Sequence, residues 1–205
     1  MGRPALAAAG FSLVELMVVV VLIAILSALA IPSMLQAGRE RRVQEASTSV
    51  VDIFRNARGR AMYRGRAQMV LVRPSGSALR FDVFESANSR CRDGQFGAAT
   101  GDSPNLTTVI ETLDLATTYY ARDGINATVT PGSTNRLRVC YTPMGNAFFG
   151  TSAYTGVTDT WSNNMADPNV APAFEIRLFQ GAVAGVGGVA RRILLPLGGT
   201  PRMRQ

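Results

Sequence analysis

Residues 10–31 read GFSLVELMVVVVLIAILSALAI, and this stretch determines how the rest of the chain is organised. No charged residue occurs from Leu16 to Gly38, a run of 23 residues. As a helix, such a run is about 35 Å long, which is enough to cross a hydrocarbon core of roughly 30 Å. One carboxylate, Glu15, stands at its N-terminal edge. The preceding segment, MGRPALAAAG, carries a single charge at Arg3.

Two interpretations of this run follow from general sequence patterns. The triplet Ala28-Leu29-Ala30 has the small-residue pattern of a secretory cleavage site, which would release a soluble chain that begins at Ile31. Glu15 argues against a secretory signal, because it interrupts the segment where such a signal is continuously apolar. The second interpretation is a plain membrane anchor.

A third interpretation comes from the residues around the first glycine of the run. Gly10, then Phe11, then Glu15 as the fifth residue after the glycine, then about twenty apolar residues, resembles the prepilin signal of type IV pilins and type II secretion pseudopilins. The resemblance implies that a prepilin peptidase cuts between Gly10 and Phe11 and that Phe11 becomes N-methylated. Residues 1–10 are then a leader peptide, and residues 11–38 are a transmembrane and polymerisation helix.

Glu15 is a candidate residue for subunit assembly. A carboxylate within lipid costs several kcal/mol unless it is paired, although the cost is small at the membrane interface. In a filament whose core is a bundle of such helices, Glu15 is placed to meet the Phe11 amine of a neighbouring subunit. This pairing would set the register between subunits, as lone polar groups do in other helix seams.

The helical pattern continues beyond the apolar run, so residues 39–65 are predicted to form the periplasmic half of a stem helix. Apolar residues recur at spacings of three or four and form one face: Val43, Ala46, Val50, Phe54, Ala57 and Ala61. Gly65 is a suitable stop. Residues 39–66 also hold eight arginines and three acids, which indicates either an anion-binding stem or a solvated helix face.

Residues 66–205 are predicted to form a β-rich head domain. Apolar, β-branched and aromatic runs separated by turn residues predict strands at 67–73, 78–84, 127–130, 137–142, 174–180 and 189–195, the last two being the final strands. A long helix followed by strands predicts an α+β fold, with the helix packed on an antiparallel sheet or sandwich.

Two segments of the head, Arg138–Gly145 and Ala190–Gly198, each read as a strand followed by Pro-x-Gly. This arrangement resembles the GspH/FimT branch, which includes minor pilins and minor pseudopilins. The resemblance implies a β-rich head that packs on the stem helix, and it implies a structural subunit.

Cys91 and Cys140 are the two cysteines of the chain. Disulfides form in oxidising compartments such as the periplasm, so a periplasmic head predicts that these cysteines are joined. The alternative is a pair of buried thiols.

The chain ends in GGTPRMRQ, which predicts a flexible basic tip. Some FimT-like pilins bind DNA through an arginine-bearing tail with a Gly-Arg-x-Arg pattern. Arg202 and Arg204 fit the Arg-x-Arg part, although Thr200 and Pro201 separate it from the glycine. The resemblance makes Arg202 and Arg204, together with Arg191 and Arg192, candidates for sequence-independent contacts to DNA phosphates. The alternative is a frayed, solubilising terminus.

Composition excludes several classes of enzyme. The 205 residues include neither histidine nor lysine, so all 21 basic residues are arginine. Serine–histidine catalysis, imidazole metal sites, P-loop nucleotide sites and Schiff-base chemistry all require one of the missing residues. We expect no catalytic residues, no cofactor and no metal. The net charge of +7 suits an anionic partner, or it reflects a general preference for arginine codons.

The sequence as a whole predicts a minor pilin of the initiating or tip complex of a type IV pilus, with DNA binding as an additional role. The alternatives are a minor pseudopilin of type II secretion and a secreted binding domain. The expected partners are other pilin or pseudopilin subunits, the prepilin peptidase, inner-membrane lipid and DNA. The expected location is the bacterial inner membrane, with a single span, a periplasmic head and assembly into a pilus or pseudopilus.

Overall fold

The structure is a computed structural model that describes residues 12–91, 109–117, 119–130, 135–150, 173–180, 190–196 and 200–204. Within these ranges the side chains of residues 30, 32, 33, 35 and 173 are not described. The chain divides into two compact units, residues 1–40 and 41–205.

Helix α1 spans Leu13–Arg64. Its first turn includes a hydrogen bond in which the Leu16 N–H donates to the Ser12 carbonyl at 3.1 Å. It ends where predicted, because Gly65 adopts a left-handed φ of 66° that glycine accommodates without strain. The second unit contains the helix from Arg41 onward. There the predicted apolar stripe is buried, with every one of its six residues 0 or 1% exposed.

In the part of the chain that the structure describes, nine strands and one short helix follow α1. Their bounds are β1 Gln68–Ser75, β2 Ala78–Glu85, β3 Val109–Asp114, α2 Tyr119–Arg122, β4 Ile125–Thr130, β5 Leu137–Tyr141, β6 Ala147–Gly150, β7 Ala173–Gln180, β8 Ala190–Pro196 and β9 Arg202–Arg204. Sheet A has the order β3-β2-β1-β5-β6, and sheet B has the order β4-β7-β8-β9. Every strand pair is antiparallel, as the α+β prediction requires.

One hydrophobic core joins the stripe of α1 to both sheets. Sheet A contributes residues such as Val70 and Phe81, and sheet B contributes residues such as Ile176 and Ile193. The rings of Phe54 and Phe81 meet edge to face, with centroids 6.1 Å apart. Each inner face is apolar along alternate residues, so the next residue along each strand points to the opposite face.

Three details were not predicted from the sequence. The β1–β2 hairpin turns at Gly76-Ser77 and not over a longer segment, since Ser75 already pairs with Ala78. The neighbouring strands β4 and β5 belong to different sheets. The predicted final strand β8 is followed by β9, which pairs with it at the edge of sheet B.

The structure joins Cys91 and Cys140 by a disulfide, with Cα atoms 5.9 Å apart. Both cysteines are buried in a second cluster with Met69, Leu71 and Phe84, on the face of sheet A that points away from α1. The bond closes a loop with a sequence separation of 49 residues.

The double variant Cys91→Ser, Cys140→Ser is expected to lower the free energy of unfolding by about 2–5 kcal/mol, because the open loop gains chain entropy in the unfolded state. Urea unfolding of the full chain in detergent measures this. Reductant should move the urea midpoint of the wild type towards that of the variant, and it should leave the urea midpoint of the variant unchanged. Two alkylatable thiols in the unreduced wild type would contradict the bond.

Candidate functional site

The predicted processing site, Gly10 and Phe11, lies outside the described residues. Glu15 is described and lies exposed in the first turn of α1. A carboxylate is favourable there, because the unpaired N–H groups and the macrodipole of a helix attract negative charge to its N-terminus. The environment of Glu15 is otherwise apolar, since Leu13, Val14 and Leu16 beside it are 58–76% exposed.

The N-terminal unit presents apolar side chains in every direction. All large apolar residues described between Leu13 and Met34 are at least 44% exposed. A helix that is hydrophobic all round is ordinarily buried by a partner or by lipid. Among the residues that the structure describes, no helix is long and apolar enough to cross a membrane, so the predicted span over 11–38 is not confirmed.

Several arginines of the stem are paired with acids of the head. Arg42 contacts Asp123 at 2.6 Å, and Arg60 contacts Glu111 at 3.3 Å. Glu85 of β2 contacts Arg64 at the end of the stem at 3.1 Å, and it also contacts Arg66, just beyond the stem, at 3.4 Å. These pairs favour a structural role for that part of the stem over the anion-binding interpretation.

Three arginines line up across sheet B. Arg177 of β7 pairs directly with Arg192 of β8, and Arg192 pairs directly with Arg204 of β9. Directly opposed residues lie on one face of a sheet, and this face is the outer one, since Ile176 and Ile193 on the other face are fully buried. We call Arg177, Arg192 and Arg204 the arginine row.

The arginine row lies next to one acid and one further arginine. Arg202 is two residues before Arg204, and it therefore shares the outer face. Glu175 accepts a hydrogen bond from the Arg177 Nε and lies 3.6 Å from the Arg192 Nε. Among the described residues of this face, four arginines therefore accompany one glutamate. Like charges directly opposite each other on a sheet are destabilising, so an anion bound along the row would relieve a real repulsion.

The four predicted DNA-binding arginines do not lie together. Arg192, Arg202 and Arg204 share the outer face, whereas Arg191 lies on the opposite face beside Ile193, because neighbouring residues of a strand alternate. Arg177 was missed by the sequence analysis. Its alternation with Ile176 and Leu178 signals an outward position, but only the strand register places it opposite Arg192.

The predicted flexible tail is instead attached to the head. Pro201 is buried, and residues 202–204 form strand β9. Thr200 accepts a hydrogen bond from the Arg58 Nη1, and the Met203 Sδ lies 4.0 Å from the Gln44 Nε2. The prediction of a flexible tip was wrong because Gly and Pro content does not reveal a free strand edge that the tail can extend.

Arg58 also lies near Tyr141 in the core. Burial raises the pKa of this phenol, and the positive charge of Arg58 opposes the rise by a smaller amount. The phenol therefore stays neutral at neutral pH.

Within the described ranges, no group of three or more acidic or cysteine side chains is placed to hold a metal ion.

Comparison with known proteins gives two findings. The family described as "Prokaryotic N-terminal methylation motif" matches residues 6–31, which confirms the predicted prepilin signal. The crystal structure of the type IV minor pilin FimU from Pseudomonas aeruginosa matches with a TM-score of 0.47 and 12% sequence identity, over 80% of this chain and 90% of that chain. The search of curated proteins returned no match.

Proposed function

We propose that this chain, which carries a prepilin methylation motif, is a minor pilin. It is a structural subunit and not an enzyme, built into the initiating or tip complex of a type IV pilus. The observation that carries the proposal is the combination of the motif at residues 6–31 with a helix that exposes apolar residues on all sides. Such a helix needs lipid before assembly and neighbouring helices after it.

The proposal gives each region of the chain a role. The prepilin peptidase removes residues 1–10 and methylates Phe11. Residues 11–38 hold the chain in the inner membrane and later pack against other pilin subunits. Residues 39–65 form the periplasmic half of the stem, and residues 66–205 form the periplasmic head that meets partner subunits. A minor pseudopilin of type II secretion uses the same parts, and the third alternative is a soluble domain that begins at Ile31.

The N-terminus of the mature chain tests the proposal. Mass spectrometry of the chain purified from its host should find an N-terminal peptide that starts at Phe11 and carries one extra methyl group. A start at Ile31 would establish the secreted alternative instead. Loss of surface pili in a deletion strain supports the pilus assignment, whereas intact pili with loss of exported proteins would establish the type II alternative.

Glu15→Gln is expected to reduce recovery of the subunit in sheared filaments by about tenfold, because the neutral side chain no longer pairs with a neighbouring Phe11 amine. Immunoblots of filament and membrane fractions measure this. Ser27→Ala is the matched control, since it changes a polar residue of the same helix without touching the pair. Equal recovery of Glu15→Gln and wild type would contradict the role in assembly.

DNA binding is proposed as a second function of the head, and the arginine row supports it. The row spans three strands on an exposed face and aligns guanidinium groups that bind phosphates without reading bases. Arg202 extends the positive face. In this proposal the DNA-binding site is a fixed surface of sheet B and not a flexible tail. The site therefore includes Arg177 and does not include Arg191.

The variant Arg192→Gln, Arg204→Gln is expected to weaken DNA binding about tenfold or more at ~50 mM salt, and to lower the slope of log affinity against log salt by about 2. Gel shifts with full-length chain in detergent measure both. Arg191→Gln, beside Arg192 but on the other face, is the matched control for the charge change. Glu175→Gln should strengthen binding. If the double variant shifted DNA as strongly as the wild type does, the arginine row would not be the DNA-binding surface.

A further inference from the structure

Residues 200–204, which we call the tail, supply two of the arginines on the outer face of sheet B. Strand β9 within the tail is three residues long, and it pairs with residues 192–194 of β8. So short a ladder gains little against the entropy cost of ordering a chain terminus. The tail therefore needs contacts outside the β8 ladder to keep Arg202 and Arg204 in place.

Helix α1 supplies such contacts near both ends of the tail. The Arg58 Nη1 donates a hydrogen bond to the Thr200 hydroxyl, and the Gln44 Nε2 lies 4.0 Å from the Met203 Sδ. The first bond has a charged donor and is of a class roughly twice as strong as neutral hydrogen bonds, whereas a thioether sulfur is a weak acceptor. Pro201, next to Thr200, is buried. The tail is thus held most firmly where it enters β9.

The guanidinium group of Arg58 is ordered by packing as well as by the tail. Arg58 lies four residues after Phe54, so it borders the buried face of α1. The β5–β6 turn packs against it, because a Cβ on Gly145 would lie only 3.3 Å from the Arg58 Nη2. The Arg58 Nε is buried. The hydrogen bond to Thr200 therefore costs little further side-chain entropy.

The attachment of Thr200 matters because it controls the register of β9. In the observed register Arg204 is opposite Arg192, and Met203 is opposite Ile193 on the inner face. A slip by one residue would turn Arg202 and Arg204 to the inner face and expose Met203 on the outer face. Three ladder pairs are few to prevent such a slip, so a fixed point next to the strand is needed.

We propose that Arg58 is a positioning residue of the arginine row: it holds Thr200, and Thr200 fixes the register of β9 against β8. Arg202 and Arg204 then stay on the outer face, where they bind DNA phosphates together with Arg192. The role in DNA binding rests on the second function proposed above, whereas the attachment of the tail is measurable without DNA.

Thr200→Val tests the attachment, because it removes the acceptor without changing the charge of the chain. Thr200→Ser keeps the hydroxyl and is the matched control. Amide hydrogen exchange of the full-length chain in detergent, read by mass spectrometry on the peptide that contains residues 202–204, should be about tenfold faster in Thr200→Val and close to wild type in Thr200→Ser. A peptide from the β1–β2 hairpin should be unaffected. Equal exchange in Thr200→Val and wild type would overturn the proposal.

Arg58→Gln identifies the donor. It should speed exchange of the tail as much as Thr200→Val does, and the double variant Arg58→Gln, Thr200→Val should exchange no faster than either single variant, because all three lack the same hydrogen bond. If the two effects multiplied in the double variant, the residues would act independently, and Arg58 would not hold the tail through Thr200.

Gel shifts test the consequence for DNA. Thr200→Val should weaken binding ~3- to 10-fold at about 50 mM salt, although its net charge is that of the wild type, because DNA binding must then order the tail. Thr200→Ser should restore wild-type affinity. In a chain that already carries Arg202→Gln and Arg204→Gln, Thr200→Val should have no further effect. Unchanged affinity in Thr200→Val, or an equal loss in that background, would overturn the positioning role.

The two measurements separate failure of this inference from failure of the proposed DNA binding. If the wild type bound no DNA while Thr200→Val still released the tail, the second function would be overturned and the attachment by Arg58 supported. If the wild type bound DNA and exchange of the tail did not respond to Thr200→Val, the attachment would be overturned and DNA binding would stand.

Discussion

The head depends on the burial of one helical stripe, Val43 to Ala61, in a core that it shares with both sheets. Sheet B contributes inner residues such as Val129, Ile176 and Ile193 to this core. Once a strand turns its apolar residues inward, the residues between them must point outward, since side chains alternate. The position of the arginines on the outer face is therefore a consequence of the helix–sheet packing.

Much of this arrangement could be predicted from the sequence, and the physical reason is local periodicity. The spacing of three and four predicted the buried stripe, and Gly65 predicted the end of α1. The paired cysteines were predicted from the compartment. The separation of β4 and β5 into two sheets was not predictable, because a turn sequence between two strands does not show whether they pair. Strand β9 was missed because three residues carry too weak a pattern.

The candidate sites needed information that periodicity does not contain. Arg177 and Arg192 are 15 positions apart in the chain and become neighbours only through the register of β7 and β8. A sequence shows which residues face outward, but the register decides which outward residues meet. For this reason the sequence analysis grouped Arg191 with Arg192, which the strand separates.

Arginine has two different roles in this chain, and the geometry of the neighbouring residues distinguishes them. In the stem, Arg60 and Arg64 lie within reach of head acids and join α1 to sheet A. In the row on sheet B, guanidinium groups outnumber acids along an exposed face, which suits an extended polyanion. Net charge alone, at +7, would assign all of these arginines to a single kind of partner. The position of each arginine relative to nearby acids distinguishes these roles. An arginine attracts an anionic ligand only to the extent that the protein has not already neutralised its charge.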